Sequence, residues 1–287
     1  MPYEQEISRI NKALFVFLLD QSFSMEEPLG NSQNRKMDEL VTAINGWLQN
    51  MAMRATGGEG IKDWMDIGAI GYRTDMEENP IIESPFIGAA LEGRQLVSIT
   101  DIGNNPGRME SKVQQFYDDD TGELMEREVE FPVWVEPHAE GGTPMCTVLH
   151  TAYEMVSAWV EEHPKSFPPV VIHITDGENQ EAGDPIDYAE PLKELATEDG
   201  NVLLFNCHLS MTKSDAFLFP HTDEILPDEL ARVLFRMSSE LPESLYASAV
   251  AEGFELQPGA RGMAFNADMV SLIKFLDMGT RVAKTLR

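Results

Sequence analysis

The chain has 287 residues, 43% of them hydrophobic, enough for one large α/β domain or two small ones. Its 49 acidic residues against 21 basic ones leave a formal charge of −28. Such a surface repels phosphate backbones and anionic headgroups, which argues against nucleic acid and membrane surfaces as partners. The acidity serves solubility, or it attracts divalent cations and basic partners. Two cysteines, Cys146 and Cys207, make no disulfide scaffold in a chain this long. Residues 1–6 lack the basic region and apolar stretch of a secretory signal, and the apolar run at 13–19 is too short to cross a bilayer. A reduced, cytoplasmic protein is the expectation.

Residues 13–19 form a continuous apolar run, as expected of a strand buried on both faces. A loop rich in Gly, Asn and Pro follows to Asn34. Apolar residues at 37, 40, 41, 44, 47, 48 and 51 then predict an amphipathic helix over 36–53. A glycine-rich break at 57–60 precedes predicted strands at 64–72 and 81–82, and 95–99 reads as a strand or strand-like connection. Alternation at 112–117 and 123–135 flanks Asp118-Asp119-Asp120-Thr121-Gly122 and predicts a β-hairpin, an insertion over about 100–138. Its acidic tip, Asp118-Asp119-Asp120, has the composition of a solvated turn more than that of a Ca²⁺ site. Thr143 opens a helix running to about 162, with Pro144 in the first turn, where proline is tolerated. A strand is expected at 170–175, a helix at 185–197, a strand at 202–207 and a helix at 228–239. A short edge strand at 263–266 and a closing helix at 268–284, capped by Asp268, complete the pattern. Strands alternating with helices predict a doubly wound, mostly parallel α/β sheet with helices on both faces. One domain over 1–287, with a core at about 12–208, is the economical organisation.

Both of the most apolar predicted strands end in aspartate. The first runs into Asp20-Gln21-Ser22-Phe23-Ser24, the second into Thr175-Asp176-Gly177-Glu178, and Gly141-Gly142-Thr143 lies between them. The carboxyl ends of parallel strands are where open α/β sheets build their sites. If the two strands are neighbours across the switch point, Asp20 and Asp176 face each other there. With Ser22, Ser24 and Thr143 they make an all-oxygen pocket suited to Mg²⁺ or Mn²⁺, which prefer oxygen in near-octahedral array. No catalytic base is required, and an outside carboxylate can replace a bound water.

The segments LDQSFSM, GGTPM and ITDGE resemble the metal-ion-dependent adhesion site of von Willebrand factor A domains, a likeness covering about residues 12–208. It implies that Ser22, Ser24 and Thr143 coordinate directly, and Asp20 and Asp176 directly or through water. It also implies that a protein partner supplies an acidic residue to the open position. Stretches at 235–242, 260–267 and 275–281 are similar to bacterial cytoplasmic members of the TerY type, associated with tellurium resistance, stress and conflict systems. That likeness implies partners such as a serine/threonine kinase and a PP2C-like phosphatase. A co-chaperone role beside an AAA+ ATPase is the alternative setting.

An enzyme is not expected. The chain has no G-x-S-x-G elbow, no G-x-x-x-x-G-K-[ST] loop and no H-E-x-x-H. Phosphoryl transfer on Mg²⁺ is disfavoured because the first loop lacks a second aspartate and no basic residue adjoins Asp20 or Asp176. Cys146, His150, Cys207 and His208 suggest a zinc site only weakly; buried free cysteine usually acts as a small hydrophobe. His173, inside an apolar strand, reads as a satisfied core histidine. Phe217, Leu218 and Phe219, after a central strand, either form a partner-contact patch or fold inward.

Overall fold

The computed structural model describes residues 2–30, 33–58, 60–117, 124–209, 216–251 and 253–279. In chain order the strands are β1 (Ala13–Asp20), β2 (Met65–Thr74), β3 (Pro80–Glu83), β4 (Leu96–Ser98), β5 (Arg108–Tyr117), β6 (Leu124–Val133), β7 (Val170–Thr175), β8 (Leu203–Leu209), β9 (Phe217–Leu218) and β10 (Met263–Ala267). The helices are α1 (Lys36–Ala55), α2 (Ile99–Asn104), α3 (Met145–Glu162), α4 (Pro185–Glu194), α5 (Glu229–Met237), α6 (Glu243–Ala251) and α7 (Met269–Gly279). A 3₁₀ turn at Phe23–Glu26 and two-residue ladders at 56–57/60–61 and 196–197/200–201 complete the described elements.

The main sheet has the order β9-β10-β8-β7-β1-β2-β3, with β4 also paired to β2. Pairing is parallel from β10 through β8, β7 and β1 to β2, and antiparallel at β9, β3 and β4. The fold is therefore a doubly wound α/β sheet. Strand β1 is buried along its whole length, and its side chains divide by the two-residue period of a strand. Phe15, Phe17 and Leu19 pack on one face with Trp47 of α1 and Phe275 of α7. Leu14, Val16 and Leu18 pack on the other with Val148 and Leu149 of α3, Leu192 of α4 and Leu234 of α5. Two helical layers consume every side chain of the strand, so the run shows no polar alternation.

The chain leaves β1 toward β2 on one side, and later leaves β7 toward β8 on the other. The order reverses between β1 and β7, whose register aligns Leu19 with Ile174. The crevice beyond their carboxyl ends is thus the switch point.

Several expectations need correction. Strand β10 is not an edge: it pairs with β8 on one side and β9 on the other. Its five residues are all buried, which alternation in so short a segment cannot reveal. Helices α2 and α6 were not anticipated. The first is six residues long, held by a capping box in which Ser98 accepts from the Asp101 N–H and Asp101 accepts from the Ser98 N–H. Helix α4 stops at Glu194, and Ala196–Thr197 turns into a small ladder. Phe219 folds inward, while Phe217 stays partly exposed. Residues 118–123, 210–215 and 280–287 lie outside the described residues, and with them the acidic turn, part of the stretch after β8 and the end of the closing helix expected from the sequence.

The hairpin β5–β6 is a separate two-stranded ribbon, in register from Arg108↔Val133 to Tyr117↔Leu124. Where it rejoins the body, the buried amide of Asn45 on α1 substitutes for a neighbouring strand. Its Oδ1 accepts from the Trp134 and Val135 N–H groups at 2.9 and 3.1 Å, and its Nδ2 donates to the Val135 carbonyl at 2.9 Å. Asn45→Ala orphans all three buried backbone groups. The expected loss is about 2–4 kcal/mol, measured by urea unfolding.

Among the described residues, no helix is long and apolar enough to cross a membrane.

Candidate metal centre

Asp20 is the last residue of β1 and has no solvent exposure. Its Oδ1 accepts from the Ser22 N–H at 2.8 Å, an Asx turn that bends the chain straight after the strand. Its Oδ2 accepts from the Thr175 hydroxyl at 2.5 Å, which ties the ends of β1 and β7 together. A short 3₁₀ turn, Phe23–Glu26, follows, pinned by the fully buried Met25. It delivers Ser24, whose Oγ lies 3.1 Å from Ser22 Oγ and donates to Asp176 Oδ1 at 2.7 Å.

The glycine loop arrives by main-chain bonds. Phe23 N–H donates to the Gly141 carbonyl at 2.9 Å, and Glu140 N–H to the Gln21 carbonyl at 2.7 Å. Gly141 sits at φ +67°, where a Cβ would overlap the Thr74 carbonyl oxygen, so glycine is required on two counts. Thr74 Oγ1 accepts from the Gly142 N–H at 2.7 Å. Gln180 clamps the next residue: its Oε1 accepts from the Thr143 N–H at 3.2 Å, and its N–H donates to the Thr143 carbonyl at 3.1 Å. Glu181 satisfies the start of α3, accepting from Thr147 N–H at 2.8 Å and Thr147 Oγ1 at 2.5 Å. That helix begins after Pro144 and has no side-chain cap of its own. Thr143 is thereby buried with its hydroxyl against Gly177, 3.2 Å from where a Cβ of residue 177 would stand. Ser24 Oγ is 3.9 Å from the same point.

All five residues expected from the sequence therefore gather at the switch point. Their donors are two carboxylates and three hydroxyls, the hard-oxygen set that suits Mg²⁺ or Mn²⁺, with neither sulfur nor imidazole among them. Burial, and after it the charge of Asp176, pushes the Asp20 carboxyl up to about 6. Two buried acids in one crevice repel each other, and a divalent ion would relieve that repulsion.

One expectation about this site is wrong. A basic residue does adjoin it: Lys36, the first residue of α1, is 4% exposed and places Nζ 2.5 Å from Asp176 Oδ2. The ammonium also donates to Glu27 Oε2 at 3.1 Å and to the Ser24 carbonyl at 3.4 Å. Lys36 lies 140 residues from Asp176, so no local spacing could pair them. Thr175, Thr74, Gln180 and Glu181 were missed as well. Thr175 opens the T-D-G-E motif and Gln180 follows it by two residues, and that position was the only available signal.

Beneath the site, His173 behaves as a core histidine. Nε2 lies 2.7 Å from the Tyr72 hydroxyl, and Nδ1 2.9 Å from Asn206 Oδ1. Burial pushes its pKa down to about 4, so it is neutral at neutral pH. With Asn206 Oδ1 as acceptor, Nδ1 carries the proton and Nε2 accepts from Tyr72. The residues weighed for zinc do not converge. Cys207 belongs to the α1 face of the sheet, whereas Cys146 lies on α3 against Gly183. Burial holds both thiols up, Cys146 to about 11, and His150 is exposed beside Glu154.

No family model matches the chain, and no curated protein does. Among solved structures it is similar to proximal thread matrix protein 1 from the mussel byssus: 14% identity, TM-score 0.44, covering 98% of this chain and 48% of that one. It is also similar to the PilB minor pilin from Streptococcus sanguinis: 11% identity, TM-score 0.46, covering 96% of this chain and 63% of that one. The chain thus spans about half of the first protein and under two thirds of the second.

Proposed function

We propose that the chain is a Mg²⁺-dependent protein-binding module, with Mn²⁺ as a substitute, which captures an acidic residue of a partner protein. The observation that supports this most is the convergence of Asp20, Ser22, Ser24, Thr143 and Asp176 on the switch-point crevice. Bound there, the ion would offer an electrophilic position to a partner's carboxylate. The chain's own residues do the rest. Asp20 and Asp176 supply the negative charge, while the three hydroxyls fill coordination positions without neutralising the ion further. Met25, Gln180 and Gly141 hold the loops that carry them. Phe23, between two of the hydroxyls and 69% exposed, offers the partner an apolar contact at the rim.

The proposed setting is a phospho-signalling assembly with a kinase and a PP2C-like phosphatase, on the sequence resemblance; an AAA+ ATPase is the other. Catalysis is not proposed. Lys36 removes one objection to phosphoryl transfer, but its ammonium is already bonded to three oxygens, and the first loop still offers Ser22 where that chemistry needs a second acid.

Affinity capture from source cells, in Mg²⁺ and in EDTA, tests the reading with Thr143→Ala beside wild type. The expected result is a partner held only by wild type in Mg²⁺, its identity choosing between the two settings. Thr143→Ala is expected to keep the far-ultraviolet circular dichroism of the wild type. Millimolar Mg²⁺ is expected to raise the wild-type Tm, because a ligand of the native state stabilises it by mass action. Partner binding that is indifferent to EDTA and to Thr143→Ala would overturn the reading.

A further inference from the structure

Lys36 sits where local rules disfavour it. A cation at the first residue of a helix opposes the helix dipole, and a buried ammonium loses its hydration. Here both costs are met by oxygens of the candidate site. Asp176, whose side chain is fully buried, has one oxygen on Ser24 and the other on Lys36. Glu27 is the outer partner of the same ammonium, half exposed at the rim. The Lys36 N–H donates to the Glu27 carbonyl at 2.9 Å, so the backbone around the lysine is fixed and only its flexible stem can swing.

We propose that Lys36 is a built-in competitor for the metal: its ammonium and the divalent ion contend for Asp176, and Glu27 receives the ammonium when the ion is bound. This rests on the metal-binding reading above and adds a rule for its strength. Asp20 and Asp176 together carry two negative charges and would neutralise a dication. With Lys36 counted, the buried part of the occupied site keeps a net positive charge, which Glu27 offsets only from the half-exposed rim. Metal affinity is lowered accordingly, and an incoming carboxylate restores neutrality. Metal and acidic partner therefore strengthen each other's binding, and linkage makes that coupling reciprocal. Lys36 is a positioning residue in this scheme and is not itself a metal ligand.

The test is Mn²⁺ affinity, measured by calorimetry and by electron paramagnetic resonance, on wild type, Lys36→Gln, Glu27→Gln and the double variant. Lys36→Met, which keeps the packed stem without the charge, stands beside Lys36→Gln in case the amide disturbs folding. Removing the competing charge is expected to tighten Mn²⁺ by about tenfold or more in both lysine variants. Glu27→Gln is expected to weaken Mn²⁺ by about threefold in wild type and to have no effect once Lys36 is gone, because the two act as one unit. If wild type binds Mn²⁺ and neither lysine variant binds it tighter, the competitor role is overturned and the metal reading stands. If Glu27→Gln acts equally with and without Lys36, the exchange onto Glu27 is overturned. If neither wild type nor any variant binds Mn²⁺, the metal reading fails and takes this inference with it.

Discussion

Asp20→Asn is expected to stabilise the protein without added metal while abolishing its response to Mg²⁺. The substitution is isosteric, and the amide oxygen can still accept from the Ser22 N–H that forms the turn. What disappears is a carboxyl whose pKa burial and Asp176 push from 3.8 up to about 6. A raised acid pKa favours the folded state below the unfolded value and forfeits that advantage as pH climbs through the folded value. At pH 7, then, the ionised side chain opposes folding, by on the order of 1–3 kcal/mol once the rearranged Thr175 hydrogen bond is allowed for. Replacing it raises Tm by a few degrees at pH 7 and by much less at pH 3.5, where the carboxyl is protonated in the folded state and mostly so in the unfolded one. Metal affinity moves the opposite way. Loss of even a supporting group around an ion costs about 10–100-fold, and loss of a charged donor should exceed that. Thermal melts at both pH values, with and without Mg²⁺, check both halves. A variant that loses stability at pH 7, or that keeps the full Mg²⁺ shift, contradicts the assignment of Asp20.

Gly141→Ala is expected to be strongly damaging for the addition of a single methyl. The residue holds φ +67°, which costs a non-glycine residue about 1–2 kcal/mol. Its new Cβ would overlap the Thr74 carbonyl oxygen, a backbone atom at the end of β2 that has no freedom to yield. The loop must move instead. It carries the Gly141 carbonyl that receives Phe23 N–H and the Thr143 hydroxyl two residues on. A destabilisation of about 2–4 kcal/mol is expected, together with loss of Mg²⁺ binding in the fraction that stays folded. Gly142→Ala is the control. Its Cβ would overlap the Gln180 side-chain oxygen, which can swing aside at the cost of its hydrogen bond to the Thr143 N–H, so a smaller loss should follow. Equal effects at the two glycines would mean that the Thr74 contact does not position the loop.

The doubly wound sheet and the five residues at its crevice were legible in the sequence. Both depend on patterns confined to a few consecutive residues: apolar strands such as 13–19 and 170–174, the second interrupted only by His173, helical periodicity in α1, and motifs that begin where an apolar strand stops. A parallel strand buried on both faces must be apolar throughout, and an aspartate at its end must fall on the rim where such sheets make their sites. The place of β10 within the sheet, the helices α2 and α6, the Asn45 bracket and the Lys36–Asp176 ion pair were decided only by tertiary structure. A five-residue strand records its burial but not its neighbours. A six-residue helix is too short to show periodicity. An amide or ammonium that bonds 90 or 140 residues away leaves no trace in its own surroundings. Charge pairing in a buried crevice depends on distance in space, and the chain order of Lys36 and Asp176 carries no information about it.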